Sequence, residues 1–176
     1  MEPTPAEVES PELQPTPAAP EVEEDDEATT GETPEPSILA EFPSCSGQLS
    51  SYILRVYSRS AGGPAPSGYS SMRCGTTVGN GYGLRHIEHH HASQWQHKAD
   101  YIRTTWEDLL DGSVAQTLAG PSQVTYRSNN NTYKYVAPIQ LWAAGPLGPY
   151  LVNEFNTNVI VAAQDGKIIS AYPSNL

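Results

Sequence analysis

Charge divides this chain into two parts of different character. Residues 1–44 hold 13 of the 20 acidic residues and have no Lys or Arg. They are mainly Pro, Glu, Thr and Ala, so they offer little apolar surface to offset the entropy cost of ordering. Residues 45–176 contain 7 acids and all 9 bases. We therefore expect a disordered acidic arm over residues 1–44 and one folded, mildly basic domain over residues 45–176.

The folded part shows strand patterns on both sides of a helical region. Residues 49–58 are rich in β-branched and aromatic side chains, which predicts a strand. Helices are expected over residues 83–91 and 96–110, and Asp111-Gly112 is expected to end the second. Period-two patterns predict further strands at residues 123–127, 132–142, 153–163 and 167–172. This order predicts an α+β fold, in which an N-terminal strand and helices pack on an antiparallel sheet of about four strands.

Four of the five histidines lie in one short stretch, residues 86–91, after a glycine-rich segment. His86, His89 and His90 are spaced i, i+3 and i+4, so all three can point to one side of a helix. Three roles fit such a cluster: proton transfer, metal binding, or a solvated helix face. The metal role lacks a His-Glu-x-x-His pattern. His86, one turn beyond the glycines and beside Ile87, is the histidine least expected to be incidental.

Polar side chains also recur on the predicted strands. Arg127 ends one strand, across an Asn-rich turn from Tyr133 and Lys134. We expect Arg127 and Tyr133 to face the same side. The fork of donors on a guanidinium suits the oxygens of a phosphate or carboxylate. Ser170 and Tyr172 lie two apart on the last strand, so they share a face and can both donate hydrogen bonds there.

The two cysteines, Cys45 and Cys74, admit two interpretations. In an oxidising compartment they would form one disulfide, and in the cytosol they would remain two thiols. No stretch approaches the roughly 18 apolar residues that a membrane span needs, so no membrane-spanning segment is expected. Met1 is followed at once by Glu2 and Pro3, which is not a signal-peptide pattern.

Taken together, these motifs resemble the BECR nucleases, a fold group named after barnase, EndoU, colicin and RelE toxins. The resemblance covers residues 49–173 and depends on three features. A glycine-rich segment leads into a G-x-R-H-I-x-x-H helix, antiparallel strands carry an Arg and a Tyr, and the last hairpin reads DGKIISAYP. Many members are toxin domains of secreted bacterial proteins.

The resemblance implies a metal-independent ribonuclease that cuts RNA by transesterification and leaves a 2',3'-cyclic phosphate. His86 would be the general base or acid, and Arg127 would hold the phosphate. Ser170 and Tyr172 would be the polar groups of the last strand, with Tyr172 orienting the phosphate or protonating the leaving oxygen. Residues expected to assist substrate binding are Arg85, His90, Tyr133 and Lys134.

The same resemblance implies a secreted monomer with a Cys45–Cys74 disulfide, an RNA substrate, an inhibitor protein as partner, and no cofactor. Two other functions stay open at this point. One is a non-catalytic binding module on a disordered stalk, with its sheet and aromatic residues as the binding surface. The other is a metal-dependent hydrolase that uses the histidine cluster.

Overall fold

A computed structural model describes residues 42–176, so nearly all of the predicted acidic arm lies outside the described residues. Its elements in chain order are β1 (Ile53–Arg59), β2 (Gly68–Arg73), α1 (Gly83–Ala99), α2 (Trp106–Ala119), β3 (Gln123–Arg127), β4 (Thr132–Gly145), β5 (Gly148–Ala162) and β6 (Ile168–Ser174). Strands β3, β4, β5 and β6 form an antiparallel sheet in that order, and β1 pairs with β2 in a second sheet. The prediction of helices with a four-stranded antiparallel sheet is confirmed. The partner strand β2 was not predicted, because its residues GYSSMR include a glycine and two serines and no β-branched side chain.

The helix boundaries differ from the prediction. Helix α1 continues without a break to Ala99, because no Gly or Pro interrupts residues 84–99. The chain leaves helical geometry at Arg103, where φ is 56°, and the Thr105 side chain then caps α2 by accepting a hydrogen bond from the Asp108 amide at 3.1 Å. Asp111 and Gly112 lie inside α2 rather than at its end. No helix among the described residues is long and apolar enough to cross a bilayer.

Both helices pack on one face of the large sheet. Leu110, Val114 and Leu118 recur every fourth residue along α2 and are fully buried. Helix α1 contributes Trp95, whose ring meets Phe155 of β5 edge to face at 6.1 Å. The sheet supplies alternate buried residues to this core, and these are Tyr135, Ile139, Leu141, Phe155, Val159, Val161 and Ala171.

The remaining alternate residues of the sheet project to the opposite face, which we call the open face. The register pairs Thr125 of β3 with Lys134 of β4, and Asn158 of β5 with Tyr172 of β6. Arg127 pairs with Thr132, so its side chain is on this face as well. The open face is therefore where the chain gathers polar and cationic groups.

A disulfide and an arginine join the N-terminal segment to the start of α1. Cys45 and Cys74 are bonded, with their Cα atoms 5.4 Å apart. Arg85, on the first turn of α1, donates to the carbonyl oxygens of Cys45 and Gln48, both at 2.7 Å, and of Gly75 at 3.0 Å. The backbone amide of Arg85 also donates to the Cys74 carbonyl at 2.9 Å. These contacts hold the helix start against the disulfide loop.

We expect the disulfide to contribute substantially to stability. Its cysteines are 29 residues apart, and closing a loop of that size stabilises a fold by about 3–4 kcal/mol in the chain-entropy model. Cys45→Ala/Cys74→Ala should therefore lower the free energy of unfolding in urea by about that amount. A reductant should destabilise the native chain similarly and leave the double variant unchanged. Equal stability of the native chain with and without reductant would contradict the expectation.

Candidate functional site

Three of the predicted site residues line one depression on the open face. Arg127 of β3, Lys134 of β4 and Tyr172 of β6 surround a cavity of about 400 Å³. Gln123, Thr125 and Val136 complete its wall. Strands β3 and β6 are opposite edges of the sheet, so side chains from both edges reach this cavity. The depression thus combines two cations with a phenol hydroxyl.

Helix α1 brings one imidazole to this group. Ile87, His91, Trp95 and Ala99 recur every fourth residue and form the stripe that faces the sheet. The Trp95 indole N–H donates to the Ala171 carbonyl at 3.1 Å, which fixes the helix against β6. The His91 ring then stacks on Tyr172, with centroids 5.2 Å apart and planes at 30°.

His91 is oriented by its own helix. Its Nδ1 lies 3.1 Å from the side-chain oxygen of Gln94, one turn further on. An amide oxygen only accepts hydrogen bonds, so Nδ1 carries the hydrogen in this arrangement. The lone pair is then on Nε2, which suits that atom to accept a proton.

His86 lies one turn before His90, behind the imidazole that contacts the sheet. Its ring centroid is 4.6 Å from that of His90 and 6.3 Å from that of His91. Its Nδ1 is buried and has no hydrogen-bond partner among the described residues. Within residues 42–176, no hydrogen bond or ring contact joins His86 to the residues that line the Arg127 cavity. The histidines instead form a chain in which His91 is the member that touches Tyr172.

Burial lowers the pKa of both His86 and His91. For His86, desolvation is the largest cause, and the neighbouring imidazoles of His90, His91 and His89 lower the pKa further. For His91, desolvation again dominates, the Gln94 hydrogen bond raises the pKa, and His90 lowers it. Both shifts start from an ordinary value of 6.5, so both rings are neutral at neutral pH.

Other predicted site residues lie elsewhere. The Arg85 guanidinium donates to the three backbone carbonyls near the disulfide. Ser170 lies on β6, two residues before Tyr172, and its hydroxyl oxygen is buried without a hydrogen-bond partner among the described residues. Tyr133 pairs with Tyr126, and their rings are 5.4 Å apart on the core side of the sheet. The expectation that Arg127 and Tyr133 share a face is therefore wrong, because the antiparallel register pairs Arg127 with Thr132 instead.

The sequence interpretation selected His90 as the second histidine, whereas His91 is the one stacked on Tyr172. His90 is exposed, and its ring lies against the imidazoles of His86, His89 and His91. The signal that could have found His91 is its spacing of four from both Ile87 and Trp95. That spacing was hidden because the helix was predicted to stop at residue 91.

Comparison with known proteins adds relatives but no function. No protein-family model matches the chain, and no solved structure matches it. The uncharacterized proteins MT0764 and Rv0739 of Mycobacterium tuberculosis, from strains CDC 1551 / Oshkosh and ATCC 25618 / H37Rv, are each 38% identical to the chain over 111 residues. The match covers 61% of this chain and 38% of each relative, so the chain spans well under half the length of these relatives.

Gly81 gives a way to test whether the His86 pocket is tightly built. A Cβ at residue 81 would lie 2.8 Å from His86 Nδ1 and 2.6 Å from the Thr76 carbonyl oxygen. We expect Gly81→Ala to displace the ring, to shift its NMR signals, and to lower stability by about 1–3 kcal/mol, as overpacking does.

Gly112→Ala is the matched control, because nothing lies within 4 Å of a Cβ at that position inside α2. It should leave the His86 signals in place and stabilise the protein by about 0.5–1 kcal/mol, since Ala is the better helix former. If Gly81→Ala also left the His86 signals and the stability unchanged, the close packing described above would be wrong.

The lowered pKa values predict how stability depends on pH. The unfolded chain titrates these histidines near 6.5, while the folded chain resists protonation to a lower pH. Between those two pH values the unfolded state binds more protons, so the free energy of unfolding should fall as pH drops below about 6.5. Above about pH 6.5, His86 and His91 should make no contribution to the pH dependence of the free energy of unfolding.

Urea unfolding at a series of pH values, with NMR titration of the imidazole signals, measures this effect. His86→Gln/His91→Gln should flatten the slope just below pH 6.5 that the native chain shows. A midpoint at or above 6.5 for either ring in the folded protein would contradict the predicted direction.

Proposed function

We propose that the protein is a ribonuclease that cuts RNA by transesterification, with the cavity on the open face as its active site. The observation that carries this proposal is the shared cavity of Arg127, Lys134 and Tyr172, with the His91 ring stacked on that tyrosine. Two cations can stabilise charge on a phosphate, and a phenol and a neutral imidazole can transfer protons, so this group can serve phosphodiester cleavage through an internal hydroxyl.

The cations would hold the scissile phosphate. Arg127 and Lys134 come from neighbouring strands, and both line the cavity. Arg127 offers a planar fork that can contact two phosphate oxygens, while Lys134 adds a point charge. As negative charge builds on the phosphorane oxygens, these donors would stabilise it without having to reorganise.

The histidines would move the protons. His91 is neutral near pH 7 and has its Nε2 lone pair free, so it fits the general base. The family resemblance implies that His86 is the general base or acid; with its ring centroid 6.3 Å from that of His91, it fits a second position in proton transfer. Tyr172 contacts His91 and lines the cavity, which suits it to orient the phosphate or to donate a proton to the leaving oxygen.

The reaction conserves atoms within the RNA. The base removes the proton of the 2'-hydroxyl, the 2'-oxygen forms a bond to phosphorus, and the bond from phosphorus to the 5'-oxygen breaks. The acid gives that 5'-oxygen a proton. The products are a 2',3'-cyclic phosphate and a 5'-hydroxyl. The disulfide fits an oxidising compartment, so secretion as a toxin-like domain with a cognate inhibitor is part of the proposal.

We expect the full chain to cleave an RNA oligonucleotide in the presence of EDTA, with a 2',3'-cyclic phosphate found by end-group analysis. His91→Gln and His86→Gln should each slow cleavage, by roughly 10²–10⁴-fold for loss of general acid–base catalysis. Arg127→Met should slow it by roughly 10²–10³-fold, the usual effect of losing one oxyanion donor.

Two matched controls separate the site from general effects of charge and composition. His97→Gln removes an exposed imidazole near the end of α1, and Arg103→Met removes an exposed guanidinium between the helices. Both should retain the native rate. Absence of cleavage by the folded native chain would favour a non-catalytic binding module, and cleavage that EDTA abolishes and zinc restores would favour a metal-dependent hydrolase.

A further inference from the structure

The β4–β5 hairpin extends beyond both of its neighbouring strands. Strand β3 pairs with β4 only as far as Val136, and β6 pairs with β5 only from Asn156 onward. Past those points the two strands pair only with each other, up to Gly145 and Gly148. The base of this ribbon is packed in the core through Ile139, Leu141 and Phe155, which leaves residues 142–151 as a free tip.

The exposed side chains of the tip are apolar, and their type changes from the apex to the base. Leu147 at the apex is fully exposed, at 103%. Trp142 and Tyr150, one level behind it, are 52% and 54% exposed, and Leu151 is 44% exposed. An aliphatic apex with Trp and Tyr behind it matches the gradient of a bilayer surface, where amphipathic aromatic rings collect at the headgroup level.

The tip is apolar on both faces. Trp142 pairs with Leu151 on one face of the ribbon, and Ala143 pairs with Tyr150 on the other. Residues 141–153 contain no Asp, Glu, Lys, Arg or His. Charges resume at the base of the ribbon with Glu154, and with Lys98 of α1, whose Nζ donates to Asn153 at 3.2 Å. Immersion of the tip would therefore desolvate no charge.

The size of the tip also favours a lipid surface over a protein partner. A specific protein interface uses about 800 Å² and roughly 20–30 residues on each side, whereas residues 142–151 are a ten-residue wedge. From Trp142 to Gly145 the strand advances by about 10 Å, which is close to the depth of roughly 5–10 Å that interfacial segments reach. We propose that residues 142–151 insert into the interfacial region of a bilayer and attach this domain to membranes.

Vesicle binding by the full chain tests the proposal. The native protein should sediment with phosphatidylcholine vesicles, and its tryptophan emission should shift to the blue when it binds them. Brominated acyl chains should quench that emission. Trp95 is buried and Trp106 is packed against the core at the start of α2, away from the tip, so the changes should disappear in Trp142→Phe. Addition of phosphatidylglycerol should not strengthen binding, because the tip is uncharged and the chain carries a formal net charge of -11.

Leu147→Asp should lower the partition coefficient roughly tenfold or more, because it removes a large apolar side chain from the inserted apex and places a charge there that would have to be desolvated. Val78→Asp is the matched control, since Val78 is also exposed but lies in the loop before α1, and it should bind as the native chain does. If Leu147→Asp failed to fold, quenching of Trp142 emission in the native chain would still show whether the tip enters the bilayer.

Four results would overturn the proposal. One is no binding of the native chain to phosphatidylcholine vesicles. Another is equal loss of binding in Leu147→Asp and Val78→Asp. A third is binding that appears only with phosphatidylglycerol and disappears in salt. The fourth is concentration-dependent self-association that Leu147→Asp abolishes without any vesicle binding, which would assign the tip to a second copy of the chain.

Discussion

The packing of α1 against β6 is the contact on which the candidate site depends. The stripe of Ile87, His91, Trp95 and Ala99 faces the sheet, and the Trp95 indole is bonded to the Ala171 carbonyl. Because side chains four apart on a helix are neighbours, locking Trp95 also sets the height and rotation of His91. The imidazole consequently meets Tyr172, one residue beyond Ala171 on the strand. The buried Trp95 side chain and its one hydrogen bond thus place the His91 imidazole at the rim of the open face.

The two edge strands supply the other half of the site. Arg127 and Tyr172 belong to the two opposite edge strands, separated by β4 and β5, yet both line the same cavity. The bulged register between Ile160 and Val161, beside β6, is the kind of irregularity that bends and twists a strand. The long Arg127 and Tyr172 side chains line one cavity from these two edges. The open face therefore brings residues that are distant in the chain and in the sheet into one group.

Part of this arrangement could be predicted from the sequence. Alternation identified β3 to β6, and Asp165-Gly166 marked the final turn, so Ser170 and Tyr172 were correctly expected on one strand. Register could not be predicted, and it puts Tyr133 on the core side. The choice among adjacent histidines also failed, since neighbours on a helix differ by about 100° in direction and the facing residue depends on where the helix continues. The cavity arises from partners far apart in the chain, which local patterns do not report.

The segment before α1 links the redox state of the chain to the geometry of the histidines. Gly83 adopts a φ of 75° beside the Arg73 backbone, and the Arg85 amide bonds to the carbonyl of the oxidised Cys74. His86 comes one residue after that anchor, against Gly81. Material purified from a reducing cytosol without reoxidation would start this helix from a loop that hydrogen bonds alone hold in place. An assay on such a preparation would test a chain whose histidines are positioned less firmly, so oxidation should be verified by mass before any rate is interpreted.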